Sequence, residues 1–312
     1  MKLGFALPVC GSWATPDNIG RLARRAEELG YSSLWTAQRL LFPVEPVNEY
    51  AAAPGPWPSF FRSMMDPLMP LAYVAGMTER IRIGTASLIL PFANPVVLAK
   101  QLASLDVLCR GRLDVGVSLG WSKDEYAATG APWARRGERI EEFLQCLLAA
   151  CAPGPTSFEG EFYAFPPSEI LPASVQRPHP PILVGGYTEA ALRRAARYGQ
   201  GYLGGNMPLE RIVPLLARLR ELSEDAHRDP DQLRLVGRGV VVTTDSPQGP
   251  DRRPLRGTLA EIEADIERYA EAGLHELFLD VNFDPRIGDV GADPDKSLAH
   301  ALHLLEHLAP RT

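Results

Sequence analysis

The chain has 312 residues, of which 46% are hydrophobic and 22% charged, and its formal net charge is −6. This length suits an α/β barrel, and an acidic balance without runs of Lys and Arg argues against nucleic acid or an anionic membrane as the main partner. No apolar stretch approaches the roughly 20 residues of a membrane span, and the four cysteines match neither a zinc-site nor a CxxC spacing. We therefore expect a cytoplasmic protein with one domain over 1–312, reduced thiols, no metal site and a small-molecule substrate.

Strand and helix patterns alternate along the chain from its first residues. The first predicted strand, 2–8, precedes a helix that Thr15 caps, Pro16 begins and Gly30 ends. The other predicted strands are 31–36, 80–86, 112–119, 181–184, 201–204, 235–243 and 275–282, and the other helices are 67–78, 94–108, 136–151, 188–198, 209–225, 258–272 and 295–308. Eight β/α units with right-handed crossovers predict a closed (β/α)8 TIM barrel. A doubly wound open sheet is the alternative, but it normally has a glycine-rich turn after its first strand, which 7–12 does not resemble.

Two insertions interrupt the alternation. The segment 38–66, after the second strand, is rich in Pro, Gly and aromatic residues, which is typical of a lid or binding loop. A disordered insertion is the alternative for this segment. The second insertion, 153–179, precedes the fifth strand and shows no regular pattern.

The active site of such a barrel lies at the carboxyl ends of its strands. After the fifth strand, Gly185 and Gly186 lead into a helix, an arrangement that suits a phosphate because glycines allow close approach and a helix N-terminus presents free N–H groups. A tight turn capped by Thr188 is the alternative. Gly84 and Thr85, at the end of the third strand, would let a flat ring lie against the barrel mouth, although glycine in a strand also serves packing alone.

Two further features are open to more than one interpretation. Gly120 lets the chain turn over the top of the fourth strand, where Trp121 either provides a stacking wall or fills space under the loop. His300, His303 and His307 share a face of the last helix. That helix lies outside the barrel, which favours a structural role over a metal site.

Motifs along nearly the whole chain resemble the luciferase-like monooxygenase superfamily, and within it the bacterial subgroup that depends on the deazaflavin coenzyme F420. They are KLGFALP, AEELGYSSLW, TAQRLLFP, RIRIGTASLILPFANPVVLAKQLASLDVL, GRLDVGVSLGWSKDE, RPHPPILVGG and AARYGQGYL. The resemblance implies an oxidoreductase that uses reduced F420 to transfer a hydride to an electron-poor C=C or C=N, or runs the reverse. An FMN-dependent monooxygenase is the alternative, and a barrel without turnover is a third. Neither the substrate nor the oligomeric state follows, although relatives are often homodimers through outer helices.

The resemblance also implies which residues hold the cofactor. Gly185 and Gly186 would hold its phosphate. The residues expected at its ring system are Gly84, Thr85 and Ala86, where relatives often have a non-proline cis peptide, and those expected at its border and tail are Leu119, Gly120 and Asp124.

The sequence departs from its F420-dependent sugar and alcohol dehydrogenase relatives at the catalytic positions. Their Asp-His pair after the second strand is replaced by Gln38 and Arg39, and a Glu after the strand-four glycine is replaced by Trp121. The dehydrogenase mechanism therefore does not transfer, and the catalytic residues are not identified, with Gln38, Arg39 and Trp121 as candidates. Arg39 cannot act as a base, so we predict that it anchors an anion or carbonyl at the mouth, with a surface salt bridge as the alternative. The remaining candidates for an acid are Cys10, Tyr50, Asp124 and Glu125.

Overall fold

The structure is a computed structural model that describes residues 1–51, 55–249 and 251–310, and in it eight parallel strands form a closed barrel. The barrel strands are β1 (Lys2–Ala6), β2 (Ser33–Thr36), β3 (Arg82–Ile89), β4 (Leu113–Ser118), β7 (Ile182–Gly185), β8 (Gly201–Gly204), β9 (Arg234–Val240) and β12 (Glu276–Asp280). Two small sheets lie outside the barrel and contain β5 (Thr156–Glu159), β6 (Ala164–Ser168), β10 (Val242–Thr243) and β11 (Arg256–Gly257). Around the barrel the order is β1-β12-β9-β8-β7-β4-β3-β2. The predicted TIM barrel is confirmed.

The helices are α1 (Pro16–Glu28), α2 (Leu68–Ala75), α3 (Pro95–Leu108), α4 (Lys123–Thr129), α5 (Arg136–Cys151), α6 (Glu189–Tyr198), α7 (Ile212–Asp225), α8 (Leu259–Glu271), α9 (Pro285–Gly288) and α10 (Pro294–His307). The predicted start of α1 is confirmed, because the Thr15 side chain accepts a hydrogen bond from the Asn18 backbone N–H and Pro16 is the first helical residue. The short helices α4 and α9 were not predicted from the sequence.

The second insertion was predicted wrongly. Within 153–179, β5 and β6 form an antiparallel pair in which Phe158 lies opposite Phe165. Phe165 packs against the main core. The predicted strand 235–243 is also divided, because β9 ends at Val240 and β10 then pairs with β11 outside the barrel.

The barrel interior is layered. Near the amino-terminal ends of the strands lies a group of charged side chains, called the charged layer here, which contains Arg82, Asp114, Arg234 and Glu276. Above it lies an apolar layer whose members are Ala6, Trp35, Leu183, Leu203, Val236 and Phe278. The rings of Trp35 and Phe278 stack with centroids 5.0 Å apart and planes 19° apart. This apolar layer closes the barrel and forms the base on which the carboxyl-end site is built.

Candidate functional site at the barrel mouth

A cavity with about 300 Å³ of empty volume lies at the carboxyl ends of the strands, and we call it the strand-end cavity. Its floor is the stacked pair Trp35 and Phe278. The small side chains in its wall are Ala6, Ala37 and Ala86, the polar residues that line it are Thr36, Asp280 and Asn282, and those covering it include Cys10, Phe60, Met64 and Phe283.

The insertion 38–66, called the lid below, covers this cavity with aromatic rings. Its residues Trp57, Phe60 and Phe61 form a buried cluster with Cys10. The Phe60 ring lies 4.4 Å from that of Phe283, measured between centroids, in an edge-to-face arrangement. The prediction that this segment is a lid over the site agrees with its position in the described residues.

The middle of the lid is held on α4 by hydrogen bonds. The Asp124 carboxylate accepts from the Val47 backbone N–H at 3.1 Å, and the Asn48 side chain accepts from the Lys123 backbone N–H at 2.9 Å. The indole of Trp57 donates to the Asn48 carbonyl at 2.9 Å. Asp124, expected near the cofactor tail, therefore lies at the contact between the lid and α4.

Arg39, the second residue of the lid, is buried, and it pairs with Glu125 rather than facing an open mouth. Its Nη2 is 3.0 Å from Glu125 Oε2, and the two side chains are only 5% and 0% exposed. Glu125 also accepts from the Leu40 backbone N–H at 2.7 Å, and the guanidinium stacks over Trp121 at 4.7 Å. Burial lowers the pKa of Arg39 and raises the pKa of Glu125, in each case outweighing the attraction between them. The alternative of a surface salt bridge is wrong, because this pair is buried.

A second ion pair, between Arg238 and Asp280, lies at the edge of the cavity. Arg238 Nε donates to Asp280 Oδ2 at 2.7 Å, and the guanidinium stacks over the Phe283 ring at 4.2 Å. Asp280 is 2% exposed and accepts at 3.0 Å from both the backbone and the side-chain N–H groups of Asn282. Sequence analysis missed Arg238, although a charged residue near the carboxyl end of a barrel strand, between two glycines, is a usable signal.

The glycine turn after β7 has the geometry that only glycine accommodates easily. Gly186 has φ +131°, and a Cβ there would lie 2.8 Å from the Ala191 Cβ. Its carbonyl accepts from the Tyr202 hydroxyl at 2.6 Å, and Thr188 caps α6 through the Ala191 N–H. The alternative interpretation, a tight turn capped by Thr188, is confirmed, and the phosphate-binding role of this turn stays a prediction.

Only one of the three residues expected at the cofactor ring opens into the cavity. A Cβ on Gly84 would lie 2.6 Å from the Trp35 ring, so this glycine makes room for the indole. Thr85 is fully buried, and its hydroxyl donates to the Gly116 carbonyl at 2.9 Å. Ala86 lines the cavity, and the peptide bond between Ala86 and Ser87 is cis.

The remaining candidates lie around the end of β3 and beside the lid. Gln38 Oε1 accepts from the Ile89 backbone N–H at 2.6 Å. Gly120 has φ +76°, and a Cβ there would lie 2.6 Å from Ile89 Cγ2. The half-buried Leu119 accepts from the Tyr126 hydroxyl through its carbonyl at 2.6 Å. Trp121 lies 4.7 Å from Trp57 between ring centroids, so it fills space under the lid.

The histidines of α10 lie away from the cavity. His300 Nε2 is 2.9 Å from Thr243 Oγ1. Across 1–51, 55–249 and 251–310, no three His, Cys, Asp or Glu side chains come together as a metal site. The same ranges contain no helix with the length and apolarity to cross a bilayer.

Sequence comparison finds one protein family and several relatives. A family model described as luciferase-like monooxygenase matches residues 1–276. An uncharacterized protein of Mycobacterium tuberculosis is 32% identical over 263 residues, which is 78% of this chain and 91% of that protein. The FMNH2-dependent dimethylsulfone monooxygenase of Pseudomonas putida is 32% identical over 199 residues, which is 63% of this chain and 52% of that protein.

Structural comparison finds the same barrel. The monooxygenase RslO1 from Streptomyces bottropensis has a TM-score of 0.79 at 25% identity, over 99% of this chain and 98% of that one. An F420-dependent secondary alcohol dehydrogenase, solved with an F420-acetone adduct, has a TM-score of 0.72 at 15% identity, over 98% of both chains. The second likeness shows the fold alone.

Proposed function

Because the chain belongs to the luciferase-like monooxygenase family, which includes enzymes that use F420 and enzymes that use FMN, we propose that it is an F420-dependent oxidoreductase. Its reaction is the transfer of a hydride between the reduced deazaflavin and an electron-poor C=C or C=N. The motifs shared with the F420-dependent subgroup support this choice of cofactor. The substrate is a small or medium-sized organic molecule with an apolar body, because aromatic side chains cover the site.

The observation that carries the proposal is the shape of the strand-end cavity. Trp35 and Phe278 provide a flat base, with ring planes 19° apart. Beside it, Ala6, Ala37 and Ala86 keep the wall free of bulky side chains. These residues fit a flat ring system that lies over the barrel mouth when the lid moves aside.

The turn after β7 fits a phosphate. Gly186 has no Cβ, so a ligand can approach its backbone closely. The first turn of α6 presents N–H groups that have no intrahelical acceptor. The positive end of the helix dipole favours an anion at the same place. Gly185, Gly186 and the first turn of α6 would hold the cofactor phosphate.

The protein's own titratable groups at the cavity are unsuited to proton transfer. The described residues that line it include two such groups, Cys10 and Asp280. Burial raises the pKa of the Cys10 thiol far above its usual range, and Arg238 holds the Asp280 carboxylate in an ion pair. Reduced F420, when bound, supplies the hydride, while the protein orients the substrate and excludes water.

A second candidate is an FMN-dependent monooxygenase. The observations that favour it are the 32% identity to the Pseudomonas putida FMNH2-dependent enzyme and the structural likeness to RslO1. The same cavity and glycine turn would serve FMN, since both cofactors combine a flat ring with a phosphate.

Titration of the purified protein with F420 and with FMN, followed by fluorescence quenching, separates the two candidates. We expect tighter binding of F420. Purification with stoichiometric FMN, or NADH-driven oxygen uptake with FMN alone, would instead establish the second candidate.

The glycine turn is tested by Gly185→Ala. A Cβ at Gly185 would lie 3.2 Å from the Leu203 carbonyl and 3.4 Å from that of Val117, so the backbone must move slightly and the phosphate position with it. We expect cofactor affinity to fall about tenfold or more, equal to at least about 1.4 kcal/mol, with unchanged circular dichroism. Gly76→Ala is the matched control, because a Cβ there meets no heavy atom within 4 Å. Unchanged affinity in a folded Gly185→Ala protein would remove this turn from the site.

A further inference from the structure

We propose that Arg238 anchors the substrate by an oxygen that carries or develops negative charge, and that the substrate is a flat aromatic compound bearing such an oxygen, as a carboxylate, phenolate or enolate. This inference rests on the proposed function and deepens it by naming the substrate class. It assigns to Arg238 the anchoring role that sequence analysis gave to Arg39.

The guanidinium of Arg238 is held on one edge and open on another. Its Nε donates to Asp280 Oδ2 at 2.7 Å, and its Nη2 lies 2.5 Å from the same oxygen. Nη2 is buried and forms no hydrogen bond, the side chain is 19% exposed, and one face of the guanidinium is covered by Phe283, with Cζ 4.2 Å from the ring centroid. A guanidinium fixed in this way presents a preoriented pair of donors to a ligand oxygen.

Asp280 positions Arg238 and is itself held by Asn282. Its second oxygen, Oδ1, accepts from the backbone and side-chain N–H groups of Asn282, each at 3.0 Å. The Asn282 side chain in turn donates to the Leu7 carbonyl at 2.9 Å. Asp280 and Asn282 therefore connect Arg238, on β9, to Leu7, which directly follows β1.

The charges at the mouth do not cancel. Arg39 is paired with Glu125, and Arg238 with Asp280. Arg256, which is half-buried, has no carboxylate partner among the described residues, and its buried Nε has no hydrogen bond.

Arg39 and Arg238 share an aromatic neighbourhood, because Arg39 Cζ lies 5.8 Å from the Phe61 ring and Phe61 lies 5.8 Å from Phe283, on which Arg238 stacks. Arg39 and Arg238 each have one carboxylate partner, whereas Arg256, which acts electrostatically on Tyr50, has none among the described residues. The resulting positive charge favours an anionic or charge-developing oxygen over a neutral or cationic group.

The surroundings of Arg238 select a flat aromatic body. Phe283 stacks on the guanidinium, and Phe60 and Phe61 contact Phe283 with centroids 4.4 and 5.8 Å away. Tyr50 lies 5.4 Å from Phe61. Because aromatic rings favour edge-to-face and offset-stacked contacts with other rings, this surface favours a flat aromatic ligand.

The experiment compares two probes, 2-naphthoate and the neutral 2-naphthalenemethanol, by isothermal titration calorimetry with the full-length protein. We expect the wild type to bind naphthoate about tenfold or more tightly than the alcohol, as for one charge-assisted hydrogen-bond pair. Arg238→Met should abolish this preference and leave the affinity for the alcohol within about twofold. Arg62→Met is the matched control, because Arg62 also stacks on an aromatic ring, Phe42 at 4.3 Å, but is exposed.

Arg238→Met alone leaves the buried Asp280 carboxylate without its partner, which could prevent folding. The double variant Arg238→Met/Asp280→Asn removes that charge as well and replaces the single variant in the test if the single variant does not fold. Equal binding of both probes by the wild type, or a preference retained without Arg238, overturns the inference. Cofactor titration of the same proteins is read separately. If Arg238→Met loses the preference for naphthoate but binds F420 normally, the inference is supported. If the wild type binds neither F420 nor FMN, the proposed function is contradicted, but the comparison of the two probes can still be interpreted.

Discussion

At the amino-terminal end of the barrel, Asp114 is held by two arginines, whereas at the carboxyl end Asp280 is held by one. Arg82 donates to Asp114 at 2.7 and 2.8 Å, and Arg234 donates to it at 2.9 Å. Arg238 instead pairs with Asp280 alone and stacks on an aromatic ring. In the first arrangement the carboxylate is bonded by both arginines, whereas in the second the buried Nη2 of Arg238 forms no hydrogen bond.

The same contrast holds for the other pairs. In the charged layer, Glu276 accepts from Arg234 at 3.0 Å and from the Ser33 hydroxyl. At the base of the lid, Arg39 has one carboxylate partner, Glu125, and a buried Nη1 without any hydrogen bond. A fully satisfied buried network stabilises the fold, whereas unused buried donors destabilise it unless a ligand or a movement satisfies them. From this comparison we infer that the amino-terminal end of the barrel stabilises the fold and that the carboxyl end serves the function.

The largest effect is expected in the charged layer. Asp114→Ala leaves Arg82 and Arg234 without their shared partner, and Asp114 is 1% exposed. Because the two arginines are 29% and 33% exposed, the loss should lie at the low end of the buried range, about 3 kcal/mol. Urea denaturation measures it. Glu161→Gln, which breaks an exposed pair with Arg135, is the control and should change little.

Cofactor affinity separates the two ends further. The folded fraction of Asp114→Ala should bind the cofactor as the wild type does, because the apolar layer around Trp35 lies between the charged layer and the cavity. A large loss of affinity with little loss of stability would reverse the assignment of the two ends.

The barrel could be predicted from the sequence because each β/α unit is a local pattern. The caps of α1 and α3, Thr15 and Asn94, are also local, and both side chains accept from backbone N–H groups in the first turn. Ion pairs are not local. Glu125 meets the lid at Leu40, 85 residues away in sequence, and no spacing rule relates them.

Glycine signals were ambiguous for a physical reason. A glycine shows only that something lies close to the backbone, not what it is. At Gly84 the neighbour is the Trp35 ring, and at Gly120 it is Ile89, so both serve packing in this structure. At Gly186 the positive φ makes glycine necessary whether or not a phosphate binds.

A smaller effect is expected at the lid. Glu125→Gln can still accept from Leu40 but leaves Arg39 without a counter-charge, and a loop responds by opening rather than by unfolding the barrel. We expect limited proteolysis within 43–58 to speed up about tenfold, equal to about 1.4 kcal/mol of lid opening. Asp124→Asn, which retains an acceptor for the Val47 N–H, is the control. A global destabilisation as large as that of Asp114→Ala would mean that this pair belongs to the folding network.

The smallest effect concerns two histidines, one at each end. His275 accepts from the Leu235 backbone N–H through Nδ1 at 2.8 Å, a bond that needs the neutral ring at this nitrogen. Burial, followed by the nearby Arg234 and Arg220, lowers the pKa of His275 below its ordinary 6.5. Burial and Arg286 lower the pKa of His300 in the same direction.

Since both folded-state pKa values lie below the unfolded value, the unfolded chain takes up protons first on acidification. The stability contributed by the neutral rings is therefore complete above about pH 6.5 and declines as the pH falls through the lowered pKa values. His275→Asn should flatten the fall in unfolding free energy between about pH 7 and pH 5, and His300→Asn should do so independently, because the two residues lie at opposite ends of the barrel. Urea denaturation at several pH values measures both slopes. If the double variant flattens the profile by more than the two single variants together, the two ends are coupled, and the separation of a stabilising end from a functional end fails.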